Sequence, residues 1–533
     1  MVFIPIDNVG SAGVNKERQP HELPPEVWSD SRNIRFANGA AKKFLGEQDL
    51  LTNSTIIPWK MFPVRTGNIN YWVYFSDAKA RAFVGRGAAD ADITRTASDY
   101  NANPEVALWN GGVMNGVPVF NNGIDAPQLW DGVSLGSPLV DLPNLPTNYT
   151  ARVVRPFKNF LVALDINKGG PAFPHLVLWS HSADPGTVPT SWDVADPTTD
   201  AGEVPLDDDG DFFIDMKRLG EVNVIYKERA TWGMREVQSS AIFRFYKILE
   251  ESGLLAQDCA ANFKGRQFAV TDDDIIIHDG TPNAVSVIDK SVRRWLFSQI
   301  DTSYFGRSVV VPRYDEKEMW FCFPENGSSY LTLALVWSWI DGSIAFRELP
   351  ADCRSIQAGP LGLATEDDTW DSGPALDWDE ENLVVWDPRT LNTFRDAILI
   401  GRETAPQIVE TGQTYQFQTT NYRSYLERTG LAIVRQGRDG QPRVDMERIK
   451  FLKAIHPRIV AAKGTVIDVY AGFQMNPNDD IYWDGPHRFE VGVDDKVDVY
   501  GSARLIGVRF EETKDVAWDL QGYSLELEAG GVY

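Results

Sequence analysis

Along this chain, hydrophobic and polar positions alternate with the period of two that marks strands, and the 3.6-residue period of amphipathic helices is nearly absent. Short apolar or alternating runs are separated by Gly, Pro, Asn and Asp, which predicts many short antiparallel strands. The strongest runs recur. They are Tyr71–Phe75, Val117–Phe120, Phe160–Leu164, Val222–Tyr226, Gln267–Val270 and Ser308–Val311, with starts spaced by 46, 43, 62, 45 and 41 residues. Four of the five spacings match a propeller blade of roughly 40–50 residues. The long one contains an Asp-rich insert.

The units share a grammar of strand, polar turn and second strand, and three end on Asp-Gly: Asp131–Gly132, Asp279–Gly280 and Asp341–Gly342. Tight hairpin turns need a positive φ, which Gly accepts without steric cost. A weaker seventh unit is expected from Leu383–Trp386. The pattern predicts an all-β protein with a β-propeller of about seven blades over 51–400, interrupted by an exposed acidic loop at 361–382. A string of unrelated hairpins in sandwiches is the competing reading.

From about Gly401 the runs lengthen and alternate more cleanly, as in Val466–Tyr470, Leu505–Phe510 and Tyr523–Leu527. In the last, Tyr523, Leu525 and Leu527 would face a core, while Ser524, Glu526 and Glu528 face water. Residues 401–533 are therefore expected to form a separate antiparallel sandwich or platform. Residues 1–50 are polar and read as strand-poor, an arm that lies over a neighbouring domain or subunit.

Composition narrows the function. The chain has 533 residues, 17 of them Trp, which suits twisted sheets where flat rings pair across strands. Its 75 acidic against 51 basic residues give a net charge of −24. A protein that grips duplex DNA neutralises phosphates with Lys and Arg, so this balance speaks against a sequence reader or packaging clamp. It permits a relation in which DNA passes without sticking, and equally a surplus of acid that keeps an assembly subunit soluble. Cys259, Cys322 and Cys353 lack CxxC spacing and read as buried, reduced thiols of a chain folded in a cytoplasm. Met1–Gly10 lacks the pattern of a signal peptide, and Tyr330–Ile340 is too short to span a bilayer, so no membrane insertion is expected.

Candidate chemistry is sparse. Asp207, Asp208, Asp209 and Asp211 surround Gly210, but an EF-hand frame with Gly at its sixth position puts Pro205 first and Met216 last, so it fails. A calcium site of another kind and a solvated turn stay open there. Asp272, Asp273 and Asp274 read the same way. Paired carboxylates could serve a propeller glycosidase, but with so many acids some pair is inevitable. The six His residues have no metal-ligand spacing; His278 and His456 lie in apolar runs and read as structural. GxSxG, GxxxxGK[ST] and GxGxxG are absent. Trp130–Asp131 and Trp386–Asp387 lack a preceding Gly-His and do not recur once per unit, which argues against a WD-repeat sequence.

Two groups of residues resemble the tail nozzle (tail-hub) proteins of short-tailed, podovirus-type bacteriophages. The first is Gly13–Asn15, Leu23–Pro25, Ser29–Phe36 and Asn38–Gly39. The second is Ser424–Gly430, Ile455–Arg458, Gly501–Phe510 and Trp518–Glu526, with Tyr226–Trp232 as a mid-chain element. The resemblance implies a structural virion protein, not an enzyme. It implies a homohexameric ring below the portal and adaptor, in contact with tail fibre or needle proteins, carrying genome DNA during ejection. It implies no catalytic residue, no metal and no cofactor, and a place in the virion tail after synthesis in the host cytoplasm. Some, not all, of the Asp clusters at 207–211, 272–274 and 367–371 are expected to face the DNA path. The alternative is a propeller-type carbohydrate-binding or glycoside-hydrolysing protein, which predicts acids or aromatics converging on the propeller mouth.

Overall fold

A computed structural model describes residues 2–51, 54–66, 69–85, 89–102, 109–130, 133–208, 210–237, 241–361, 396–404, 406–412, 414–436 and 442–532. These residues form a seven-bladed β-propeller joined to a β-sandwich. Each of the first six blades is a four-stranded antiparallel meander. Blade one runs from Lys60–Thr66 to Ala91–Asp92, blade two from Asn110–Met114 to Val140–Asp141, and blade three from Tyr149–Phe157 to Gly202–Pro205. Blade four runs from Phe213–Leu219 to Phe243–Leu249, blade five from Ala260–Phe263 to Ala284–Ser286, and blade six from Val309–Arg313 to Ile344–Glu348. First strands touch around the axis from blade two through blade seven, and that of blade seven touches that of blade one.

Blade seven closes the ring. Its strands Cys353–Pro360, Asp396–Arg402 and Gln407–Thr411 are completed by Glu47–Leu51, which pairs antiparallel with Gln407–Thr411. The ring is thus fastened by hydrogen bonds between strands from opposite ends of the propeller sequence.

The sandwich has a six-stranded and a five-stranded sheet. In the first, Trp518–Val532 pairs with Arg448–Ala461, with Ala40–Lys43 and with Val2–Asp7; Ile34–Ala37 and Val497–Ala503 extend it. The second is ordered Asp30–Arg32, Ser424–Leu431, Leu505–Glu512, Val466–Gln474, Tyr482–Glu490. Apolar faces meet between them: Phe510 of one sheet lies 5.4 Å from Tyr523 of the other, and 6.5 Å from Trp28. One hydrophobic core runs from this sandwich into blades four to seven.

The all-β class, the propeller and the C-terminal antiparallel domain agree with the sequence reading. Tyr523, Leu525 and Leu527 are buried, and Ser524, Glu526 and Glu528 are not. Three expectations are corrected. The propeller does not end at 400, because Asp396–Arg402 and Gln407–Thr411 are both strands of blade seven. Residues 1–50 are not strand-poor: they hold four strands of the sandwich and most of the closing strand of blade seven. The run at Ser308–Val311 belongs to the first strand of blade six, whereas the five earlier runs are second strands; the equivalent in blade six is Glu318–Phe323. Both strands there are apolar because both are buried, so the local pattern cannot rank them. The acidic loop beyond Leu361, the unit at Leu383–Trp386 and the turn Asp131–Gly132 lie outside the described residues. Gly280 and Gly342 take φ of +84° and +75° in the turns between third and fourth strands. No helix of the described residues is long and apolar enough to cross a membrane.

Candidate functional site

The residues that carry the terminal motifs meet at one place, the joint between sandwich and propeller. Gly13 adopts φ +71°, and a Cβ there would sit 2.5 Å from the backbone nitrogen of Ile344 in blade six. Only glycine permits that approach. Val14 then donates its N–H to Ile344 O at 3.0 Å, and Asn15 Nδ2 donates to Lys290 O at 2.9 Å. Asn33, buried at φ +58°, joins three parts of the chain. Its amide donates to Glu348 Oε2 at 2.9 Å and to Arg423 O at 2.7 Å, and its Oδ1 accepts from the Glu348 N–H at 2.9 Å. Arg35 reaches Glu316 and Glu318 of blade six at 2.7 and 2.8 Å.

The two motif groups also touch each other. Strand Asp30–Arg32 pairs with Ser424–Leu431, Ser31 opposite Leu426. Arg428 is buried and donates to Pro20 O at 2.8 Å and Leu23 O at 2.7 Å, which fixes the Leu23–Pro25 turn on the sandwich. Burial lowers its pKa to about 10, so it stays charged at neutral pH. Gly430, at φ +70°, passes within 2.8 Å of the Pro20–His21 backbone, counted from where a Cβ would be. Trp518 Nε1 donates to Ser424 Oγ at 3.0 Å. These motif residues therefore tie the N-terminal segment to blade six and to the C-terminal strands.

A second candidate lies on the propeller axis. First strands and their entries supply Lys60, Arg155, Lys217, Asp258 and Gln357 to a cavity of about 220 Å³. Arg155 bonds both oxygens of Asp215 at 2.7 and 2.9 Å and Asp258 at 2.7 Å; Lys60 bonds Asp258 at 2.6 Å. Burial opposes the charge on Asp258, but Lys60 and Arg155 outweigh it and hold the carboxyl well below the usual carboxylate range. Burial likewise opposes the Arg155 charge, and the two carboxylates keep its pKa raised. Spacing in the sequence could not have found this cluster, since its members come from five blades.

The predicted acidic residues lie elsewhere. Asp207 and Asp208 are exposed and Asp211 half-buried on the connection from blade three to blade four; Asp209 is outside the described residues. Asp272, Asp273 and Asp274 form the turn between the second and third strands of blade five, where Arg293 pairs with Asp273 at 2.7 Å. Strand alternation puts both loops on the same face of the propeller, and neither lines the axial cavity. Among the described residues no cluster of His, Cys, Asp or Glu could hold a metal ion. His278 is buried, its Nε2 2.7 Å from the Tyr226 hydroxyl, and burial lowers its pKa to about 4. The three cysteines are free and buried, and burial pushes the Cys322 thiol up to about 12.

No protein-family model matches the chain, and no curated protein matches it. Among solved structures the chain is similar to the WD40 propeller domain of Doa1, at 10% identity over 69% of this chain and 98% of that one, with a TM-score of 0.38. It is similar to the WD40 domain of Toxoplasma gondii coronin at 9% identity, over 72% and 86% of the two chains, TM-score 0.35. Chaetomium thermophilum Raptor gives 9% identity over 70% of this chain and 30% of that one, TM-score 0.40.

Proposed function

We propose that this chain is a structural subunit of a short bacteriophage tail, the nozzle through which genome DNA leaves. The observation that carries the reading is the convergence of the resembling motifs. Gly13–Asn15, Leu23–Pro25 and Ser29–Phe36 are sequence-distant from Ser424–Gly430 and Trp518–Glu526, yet they assemble into one joint. Motifs that make an assembly scaffold should behave in this way, whereas catalytic motifs would converge on a pocket.

DNA would run between subunits of a ring, not through a propeller. The axial cavity, about 220 Å³, is far too small to hold a stretch of duplex DNA. The surplus acid, −24 overall, is compatible with a lumen that repels phosphates. Asp207 and Asp208 are exposed on the same face of the propeller as Asp272 and Asp273 and are available to such a lumen.

A glycosidase reading fits less well. That chemistry needs one carboxylic acid with a raised pKa to protonate the leaving group. The axial acids are instead ion-paired, and Asp258 is held ionised. Immunogold labelling with antibody against the purified chain tests the proposal. Label at the distal end of a short-tailed particle is expected, and label on the head, or none on purified particles, would overturn it.

A further inference from the structure

The ion pairs on the propeller axis leave one charge over. Arg155 and Lys60 are matched by Asp215 and Asp258. Lys217, on the first strand of blade four, lines the same cavity. Among the described residues its ammonium has no hydrogen-bond acceptor and no carboxylate at ion-pair distance. Three cations thus face two carboxylates in a confined space.

Burial and the nearby Arg155 charge lower the Lys217 pKa, opposed by Asp258 and Asp215. Lys217 is half-buried, and a cation partly withdrawn from water in such a cavity is stabilised when a counter-ion or ordered water joins it. The wall also carries uncharged polar groups, Gln357 and the Tyr314 hydroxyl, the latter donating to Asn262 O at 2.9 Å. We infer that the axial cavity is a binding site for one small oxyanion of phosphate size, seated on the Lys217 ammonium with the Arg155 and Lys60 charges alongside. The cavity of about 220 Å³ accommodates such an ion with water around it and excludes a nucleic-acid duplex.

An ion held there would bridge the first strands of blades one, three and four, which carry Lys60, Arg155 and Lys217. Binding only to the folded state, it would stabilise the closed propeller by mass action. The site owes nothing to the tail assignment and stands or falls without it.

Calorimetric titration of the full chain with inorganic phosphate, in chloride buffer at constant ionic strength and neutral pH, tests the inference. Wild type should give a single-site isotherm, with a thermal midpoint that rises as phosphate is added. Lys217→Met should fold, since it removes an unpaired charge, and should weaken phosphate binding by at least about tenfold, the loss of one charged hydrogen bond. Lys217→Arg keeps the charge and should retain binding. Absence of phosphate-dependent heat in wild type overturns the site, whichever variants fold. Equal binding by Lys217→Met, or loss in both variants, overturns the role of the charge.

Discussion

Arg428 directs a buried guanidinium at backbone carbonyls of Pro20 and Leu23, about 400 residues away in sequence. Arg428→Met keeps the apolar stem but strands those carbonyls. The expected cost is about 2–3 kcal/mol, the range of a charged hydrogen bond. Urea unfolding should register it, and limited proteolysis should begin to cut near residues 18–26; an unchanged cleavage pattern would show that the turn holds without Arg428. Sequence alone marks this Arg as part of a resemblance and gives no hint of what it touches. Alternation is a stronger signal where strands are long. Leu525 and Leu527 are buried as their parity predicts. Leu525→Asp or Leu527→Asp should unfold the sandwich, because either buries an unpaired charge. Glu526→Lys should stay within about 1 kcal/mol of wild type. Similar circular-dichroism melts for both kinds of variant would contradict the register.

The closing strand Glu47–Leu51 links the two ends of the propeller and contains a buried carboxyl. Glu47 receives a bond from Arg347 at 2.7 Å, yet burial raises its pKa to about 7, Arg347 and Arg402 only partly opposing. Its ordinary value is 4.5. Because the folded value lies above the unfolded one, the folded state binds the extra proton between them. The stability this contributes is full below pH 4.5 and is lost as pH rises through about 7. At about 1.4 kcal/mol per unit, the decline is on the order of 3 kcal/mol. Denaturant unfolding at stepped pH should show it in wild type, and Glu47→Gln should flatten the curve over that window. A variant curve parallel to wild type would assign the decline to other groups. This strand escaped the sequence reading for a physical reason. Its five residues are mostly polar, and its partner Gln407–Thr411 lies some 360 positions on. The blade repeat was legible because second strands are buried on both faces and read as apolar runs. The same burial in both inner strands of blade six allowed the register there to slip by one strand. The axial charges were invisible for another reason: Lys60, Arg155, Lys217 and Asp258 are isolated in sequence and meet only when the ring closes.

If the chain is a nozzle subunit as proposed, its surplus acid, −24 overall, faces DNA without holding it. Purified protein should bind duplex DNA weakly and without base preference even at low salt, where phosphate contacts are strongest. Tight binding at physiological salt, measured by fluorescence anisotropy, would defeat the conduit. Charge reversal to Lys at Asp207, Asp208 and Asp209 should slow genome delivery while particles still assemble; unchanged delivery would take that loop out of the DNA path. Head-to-tail contacts close into a ring when the rotation between subunits divides the circle. The central claim is therefore tested most directly by electron cryomicroscopy of intact particles, with the subunit recognised by its seven blades and attached sandwich. The account predicts six copies in a closed ring around an open, acid-lined lumen at the end of a short tail. A threefold or monomeric tail component, or a lumen lined mainly by Arg and Lys, would contradict it.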